Sequence, residues 1–381
     1  MKIVHLITRL IVGGAQENTL LSCEGQHDLG HEVTLITGPA IGPEGSLLDR
    51  ANAYGYKVEV VDDMVRAIHP WRDYRVYRHL IERLKQLDPD IVHTHSSKAG
   101  IIGRWAAHRA GCRRVIHTIH GLAFTASTRK SVNAVYRSLE KRAAPITHKI
   151  VCVATDMATQ SLAAGIGVPE QYVTVYSGMR IEPFLSPPVS RDAVRRALGI
   201  KPDDIIVGTI ARLFYMKGHD DILAIAPELC SWHPQLRFMW VGDGLLREQF
   251  EQRIDEIGLR DRFVLTGLVP PTRIPELVGA MDILAHPSRR EGLARALPQG
   301  QLAGCPAVTY DVDGNREGLI DGQTGYLIKP FDRDMLADRL SFLLSDPSRM
   351  RQMGLAGRDF AVKRFDTRVM VDALQQVYQG D

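Results

Sequence analysis

No apolar run in the chain approaches the roughly 20 residues that a membrane-spanning helix needs. Five cysteines, Cys23, Cys112, Cys152, Cys230 and Cys305, lie far apart and form no Cys-x-x-Cys pair. A disulfide frame and a zinc site are therefore not expected, and the set suits a reducing cytosol. The first apolar run, KIVHLI from Lys2, is too short for the core of a secretory signal and reads as a strand. The full G-x-G-x-x-G fingerprint is missing after it, which argues against a Rossmann dehydrogenase. Net charge is slight, formally +3. These absences leave a soluble protein, adsorbed at most to a membrane surface.

What is present is ordinary globular composition over 381 residues, 45% hydrophobic and 24% charged, enough for two cores. Strand-like runs EVTLIT, YKVEVV, DIVHTH, RVIHTI and HKIVCV alternate with helix-like segments, predicting a doubly wound domain with a mostly parallel sheet. Gly and Pro punctuation from Tyr172 to Leu185 reads as a linker after the last strand. The βα alternation then restarts with DIIVGTIARL, LRFMWVG, RFVLTG and the strand from Met281, and the tail from Asp332 to Gln379 reads as helical. Charge is unevenly spread: between Lys98 and Lys149 there are eleven Lys or Arg and one acid, Glu140. That segment is expected to form a basic face that attracts anions.

Polar residues collect where strands of an open parallel sheet end and ligands bind. Gly13 and Gly14 follow the first strand and open a helix whose N–H groups favour phosphate. His120 follows a strand, precedes Gly121, and has few acids nearby to pair with it. In the second half, Arg212 and Lys217 sit five apart in a strand-to-helix loop, with Gly218 opening the helix. Together they suit a diphosphate, although a solvated basic loop would look the same. Glu291 follows a Ser-Arg-Arg loop and reads as the first turn of a helix, where a carboxylate could equally do no more than complement the helix dipole. Asp311 and Asp313 could hold a metal, but beside Gly314 they read better as turn residues.

Taken together, VGGAQ, VHTHSSKAGIIGR, VIHTIHG, VYSGM, ARLFYMKG, VGDG, TG, the SRREG loop and TGYLI resemble family 4 of the retaining, nucleotide-sugar-dependent glycosyltransferases. The resemblance spans essentially the whole chain and is nearest to the bacterial branch that builds capsule, exopolysaccharide or O-antigen units. It implies the GT-B fold, α/β, with two doubly wound Rossmann-like domains facing a central cleft and C-terminal helices. An acceptor-side domain over residues 1–178 and a donor-side domain over 179–364 would be followed by a helix, 365–381, packing back toward the first domain.

The resemblance also implies residue roles. Arg212 and Lys217 would hold the diphosphate and stabilise it as a leaving group. Glu291 would bind donor-sugar hydroxyls, and His120 would line the cleft near the transferred sugar. Gly13 and Gly14 would face phosphates or acceptor, and Gly267 would lie by the base. The backbone of Gly292, Leu293, Ala294 and Arg295 would help cradle the phosphates. No nucleophile, cofactor or metal is implied. The partners would be a nucleoside-diphosphate sugar and a glycan or polyprenyl-linked acceptor, with an anionic membrane surface and no nucleic acid. The location would be cytoplasmic, at the inner face of the membrane. The chain departs from the family at Gln299, where a second motif Glu is usual, at Pro298 just before it, and at Asp313, where Gly is usual. A binding or scaffold protein that kept the nucleotide pocket, or a nucleotide-sugar epimerase, would share the fold, but Arg212, Lys217, His120 and Glu291 together favour the transferase.

Overall fold

The computed structural model describes residues 1–42, 45–125 and 128–380. The chain forms two compact units, one made of Met1–Met179 with Thr367–Asp381 and the other of Arg180–Asp366.

In the first unit, strands β1 (Lys2–Ile7), β2 (Glu32–Thr37), β3 (Lys57–Val60), β4 (Ile91–His95), β5 (Arg114–Ile119), β6 (Lys149–Cys152) and β7 (Tyr172–Thr174) form one sheet. Their order is β3-β2-β1-β4-β5-β6-β7, and every pairing is parallel. A parallel sheet is covered on both faces, so its strands read as near-continuous apolar runs. Ile3, Leu6 and Ile7 are fully buried accordingly. The stretch expected to be wholly linker supplies β7, which pairs with β6 at Ile150–Tyr172 and Cys152–Thr174. Three residues are too few to show a period, and the Gly and Pro residues that follow mask them. The last helix, Thr367–Gln379, buries Met370, Val371, Leu374, Val377 and Tyr378 against Ile3, Leu21, Ile91 and Ile116 of this same unit.

In the second unit, β8 (Ile205–Ile210), β9 (Leu236–Val241), β10 (Phe263–Gly267), β11 (Ile283–His286), β12 (Ala307–Tyr310) and β13 (Gly325–Ile328) repeat the plan. The order is β10-β9-β8-β11-β12-β13, again all parallel. Each sheet reverses its winding once, between β1 and β4 and between β8 and β11. Such switch points open a crevice at the strand carboxyl ends. Two loops of the second unit meet there, the one after β8 that carries Arg212 and Lys217 and the one after β11 that carries Glu291. Among the described residues, no helix is long and apolar enough to cross a membrane.

Candidate functional site

The loop after β8 turns through Gly218, whose φ of 75° is left-handed and strains any residue that carries a Cβ. A Cβ there would lie 1.9 Å from the carbonyl oxygen of Pro287, on the loop after β11. That approach lets the two loops bond directly. The Arg289 N–H donates to the Met216 carbonyl at 2.9 Å, and the Ser288 hydroxyl donates to the same oxygen at 3.2 Å. The Arg289 guanidinium reaches the Tyr215 carbonyl at 3.3 Å and the fully buried carboxylate of Asp221 at 3.0 Å. Arg289, one of the cations expected beside Glu291, is thus committed to joining the loops.

Held this way, Lys217 Nζ lies 2.5 Å from Glu291 Oε1. His286 Nε2, at the end of β11, lies 3.0 Å from the same oxygen, and a carboxylate can only accept, so the imidazole donates. Burial pushes the Glu291 carboxyl up, but the Lys217 ammonium and the His286 imidazole outweigh it and hold the group well below the usual carboxylate range. Glu291 does not open a helix, as its sequence context suggests. It sits in the loop, the helix spans Ala296–Leu302, and the Glu291 N–H donates to Asp313 Oδ2 at 2.9 Å. Asp313 adopts φ 43°, a left-handed conformation that explains why glycine would be usual at this position. The Gly314 N–H donates to the Gly292 carbonyl at 3.0 Å, closing the same contact from the other side. Asp311 pairs with Arg316 at 3.1 Å.

The other expected donor-side residues sit around this cluster. Arg212 is exposed, on a turn tied to the loop after β9, where Gly242 and Gly244 pass so close that a Cβ would meet the Ala211 and Leu213 carbonyls at 2.2 and 2.4 Å. Gly267 ends β10 at φ 70°, and its carbonyl accepts from the Gly242 N–H at 3.2 Å. Leu293 and Ala294 are buried. Gln299 is half-buried in the short helix, where its N–H donates to the Arg295 carbonyl at 3.2 Å. Pro298 causes no kink, because the helix begins only two residues before it and its missing N–H falls among the unpaired first-turn groups. His219, next to Gly218, is a core residue: it packs edge-on against Trp240 at 4.7 Å, and burial lowers its pKa to about 3.

In the first unit, Gly13 precedes the helix Gly14–Asp28 with φ 179°, an extended value open to any residue. What its missing side chain makes room for is Gln16, since a Cβ would meet Gln16 Oε1 at 2.7 Å. His120 is half-buried after β5, with Nε2 3.1 Å from His95 Nδ1. A pocket of about 460 Å³ opens at the β1/β4 switch point, lined by Arg9, Arg66 and Lys98 among apolar groups that include Ile101, Tyr136 and Leu139. The expected basic face is reduced from within. Arg104 is fully buried, with Nη2 2.6 Å from Glu140 Oε2, Lys98 pairs with Asp73 at 2.5 Å, and Arg114 donates to the Val377 carbonyl. The exposed remainder centres on the helix Lys130–Ala143, where Lys130, Arg137, Lys141 and Arg142 flank exposed Val132 and Val135.

His286 and the buried partners of His95 were not singled out in the sequence. The first carries a signal already used for His120, a histidine closing an apolar strand before a polar loop.

These loops at two switch points, one set holding a cation–carboxylate cluster, define a two-domain α/β protein that gathers charged side chains at its strand ends. Residues 12–182 match the family model described as Glycosyltransferase Family 4, and residues 190–360 match that of Glycosyl transferases group 1. The two matches together take in most of the chain, which therefore belongs to the family 4 glycosyltransferases. A UDP-Gal:alpha-D-GlcNAc-diphosphoundecaprenol alpha-1,3-galactosyltransferase of Escherichia coli is 28% identical, covering 99% of this chain and 96% of that one. A GDP-mannose-dependent alpha-(1-6)-phosphatidylinositol monomannoside mannosyltransferase of Mycolicibacterium smegmatis is 25% identical over 72% of each chain. Among solved structures, Anabaena HepE in complex with UDP superposes with a TM-score of 0.85 at 21% identity, and sucrose-phosphate synthase of Thermosynechococcus elongatus with 0.82 at 18%. The first match covers all of both chains, and the second covers 100% of this chain and 98% of that one. The fold is GT-B, and the protein is a glycosyltransferase.

Proposed function

We propose that this glycosyltransferase moves a sugar from a nucleoside-diphosphate sugar, a UDP-sugar before others, onto a glycan carried by a lipid diphosphate, with retention at the anomeric carbon. The observation that carries the reading is the end-to-end similarity to the E. coli enzyme, whose name specifies a UDP-sugar and a diphosphoundecaprenol acceptor. Arg212 and Lys217 neutralise the departing diphosphate, where charge develops, and do there what a metal would otherwise do. Glu291, held ionised between Lys217 and His286, accepts hydrogen bonds from donor-sugar hydroxyls. The backbone of Gly292, Leu293 and Ala294 contacts the phosphates, Gly267 lies by the base and Gln299 by the ribose. His120 faces the transferred sugar, and Gly13 and Gly14 face the phosphates or the acceptor.

The pocket of the first unit takes the acceptor, its cations meeting the diphosphate and its apolar wall the first part of the lipid. Arg9, Arg66 and Lys98 against Asp73 leave it two positive charges in excess. The helix Lys130–Ala143 contributes Tyr136 and Leu139 to that wall. Its exposed cations and valines then rest on an anionic membrane, where each basic residue contributes about 1 kcal/mol.

The test incubates purified protein with a panel of nucleotide sugars, with and without a short polyprenyl diphosphate carrying one sugar. Acceptor-stimulated release of one nucleoside diphosphate and an α-linked product are expected. Gln299 in place of Glu is the one observation that favours a catalytically idle binding protein. Nucleotide binding by calorimetry without turnover of any donor would establish that second reading.

A further inference from the structure

Behind His120 the first unit buries a continuous line of hydrogen-bonded side chains. Strands β1 and β4 run in register with His5 opposite His93, which brings His5, His93 and His95 together. Gln26 comes from the helix Gly14–Asp28 and Tyr378 from the last helix. His120 Nε2 is 3.1 Å from His95 Nδ1, His95 Nε2 is 2.9 Å from His5 Nδ1, and His5 Nε2 is 2.7 Å from Gln26 Oε1. Gln26 Nε2 is 2.8 Å from the Tyr378 hydroxyl, which is 2.5 Å from His93 Nδ1, and His93 Nε2 is 2.6 Å from Thr118 Oγ1. Every member except His120 is buried.

Three imidazoles with nitrogens within 4.8 Å of one another could hold a metal ion. Here, however, both nitrogens of each ring already have partners, and no carboxylate or thiolate belongs to the group to balance a cation's charge. The line is better explained as a hydrogen-bonded chain, and such a chain has a direction.

A neutral imidazole donates from one nitrogen and accepts at the other, so fixing one bond fixes the next. Burial keeps these rings neutral, with the His5 pKa lowered to about 4 and those of His93 and His95 well below the usual value. The Gln26 amide presents its oxygen to His5 and its nitrogen to Tyr378. An oxygen only accepts, so His5 carries its proton on Nε2 and accepts at Nδ1 from His95 Nε2–H. His95 then accepts at Nδ1 from His120 Nε2–H. On the other arm, Tyr378 accepts from the amide and donates to His93 Nδ1, which leaves His93 Nε2–H for Thr118.

We propose that Gln26 and Tyr378 are positioning residues that set the tautomer of His120, with the proton on Nε2 and Nδ1 an acceptor. Resting on the placement of His120 beside the transferred sugar, this makes His120 a ring that receives a hydrogen bond from a sugar hydroxyl. It also gives the last helix a role in the site besides packing.

The test is long-range ¹H–¹⁵N correlation on histidine-labelled protein, with the His120 signals identified by their loss in His120→Gln. The wild type is expected to carry the proton on Nε2. Gln26→Met, which removes both ends of the amide, and the milder Tyr378→Phe, which frees the amide to turn, are each expected to give a mixture of tautomers and a several-fold loss of turnover. A proton on Nδ1 in the wild type overturns the assignment. So does an unchanged tautomer in Gln26→Met, or in Tyr378→Phe should Gln26→Met not fold. The spectrum needs no substrate: if His120→Gln transferred sugar at the wild-type rate, the functional placement of His120 would fail while the tautomer assignment stood.

Discussion

Gly218→Ala tests whether the switch-point loops act as one piece. Two costs arise there and can be separated. The first is backbone strain, since φ 75° is left-handed and costs a residue with a Cβ about 1 kcal/mol or somewhat more. The second is steric. The new Cβ would stand 1.9 Å from the Pro287 carbonyl oxygen and 2.7 Å from its carbon, and contacts below 3.0 Å are essentially never seen, so backbone must shift by about 1 Å. Overpacking of this kind costs a further 1–3 kcal/mol, roughly. The displaced segment leads into Ser288, Arg289 and Glu291, and misplacement by about 1 Å lowers turnover on the order of 100-fold.

Gly322→Ala is the control. Gly322 has nearly the same φ, 71°, but open space within 4 Å, so it bears the first cost alone. Thermal unfolding and steady-state kinetics with the preferred nucleotide sugar should therefore show a small loss of stability and normal turnover in Gly322→Ala. Gly218→Ala should show a larger loss of stability and about 100-fold lower kcat. Matching kinetics in the two variants would refute the idea that the loops are clamped together.

Arg212→Ala and Lys217→Ala should each lower turnover about 100-fold or more, the scale for losing one preorganised charge stabiliser; unchanged kinetics in both would remove the diphosphate assignment. The folded pKa of Glu291 lies below its unfolded value near 4.3, so its contribution to stability is complete above that pH and lost as pH falls through the folded value. Urea midpoints of wild type and Glu291→Gln should consequently differ at pH 7 and converge in acid, and a constant gap would contradict the ion-pair account. Gln299→Glu restores a charge-assisted acceptor worth about 1 kcal/mol and should tighten the donor KM several-fold at nearly constant kcat; weaker nucleotide binding by calorimetry would show that Gln299 is an adapted contact. Val135→Glu should reduce partitioning onto anionic liposomes at low salt with transfer to a soluble acceptor unaffected. Equal partitioning of the wild type onto anionic and neutral liposomes would end the membrane proposal.

Most strands could be read from the sequence because a parallel sheet covered on both faces leaves near-continuous apolar runs, as in Ile3–Ile7 and Ile205–Ile210, interrupted only by His5 and by Gly208-Thr209. Misreadings fall where a distant partner decides. Glu291 before Gly-Leu-Ala-Arg looks like a first helical turn, yet its N–H goes to Asp313, 22 residues away. Arg104 looks like part of a basic stripe, but Ala99, Gly100, Gly103, Ala106 and Ala107 around it make a helix face of small residues that packs closely. Its side chain is carried inside to Glu140, 36 residues on. That run of small residues around a cation was a local signal, whereas its partner was not. The line from His120 to Tyr378 is further still from local sequence: Gln26 and Tyr378 are 352 residues apart, and nothing in either neighbourhood marks the pairing.

The letters of the ARLFYMKG and SRREG stretches divide by what they touch. Lys217 and Glu291 supply charge, while Gly218, Ser288 and Arg289 supply the bonds that keep that charge still, and a preorganised cation stabilises a developing anion only insofar as it need not move to do so. Asp221 carries much of this. Its fully buried carboxylate takes Arg289 at 3.0 Å and Arg333 at 2.7 Å, which ties the loop after β11 to the helix His219–Trp232 and to the first turn of the helix Arg333–Ser345. Asp313 fits the same account. Left-handed backbone costs it on the order of 1 kcal/mol relative to glycine, but aspartate is among the few residues that tolerate it. In exchange, its side chain gives the Glu291 N–H a charge-assisted acceptor from the next loop. Where glycine would leave that N–H to another partner, aspartate fixes the backbone of the one carboxylate in the cluster, so this departure from the family pattern serves the position of Glu291.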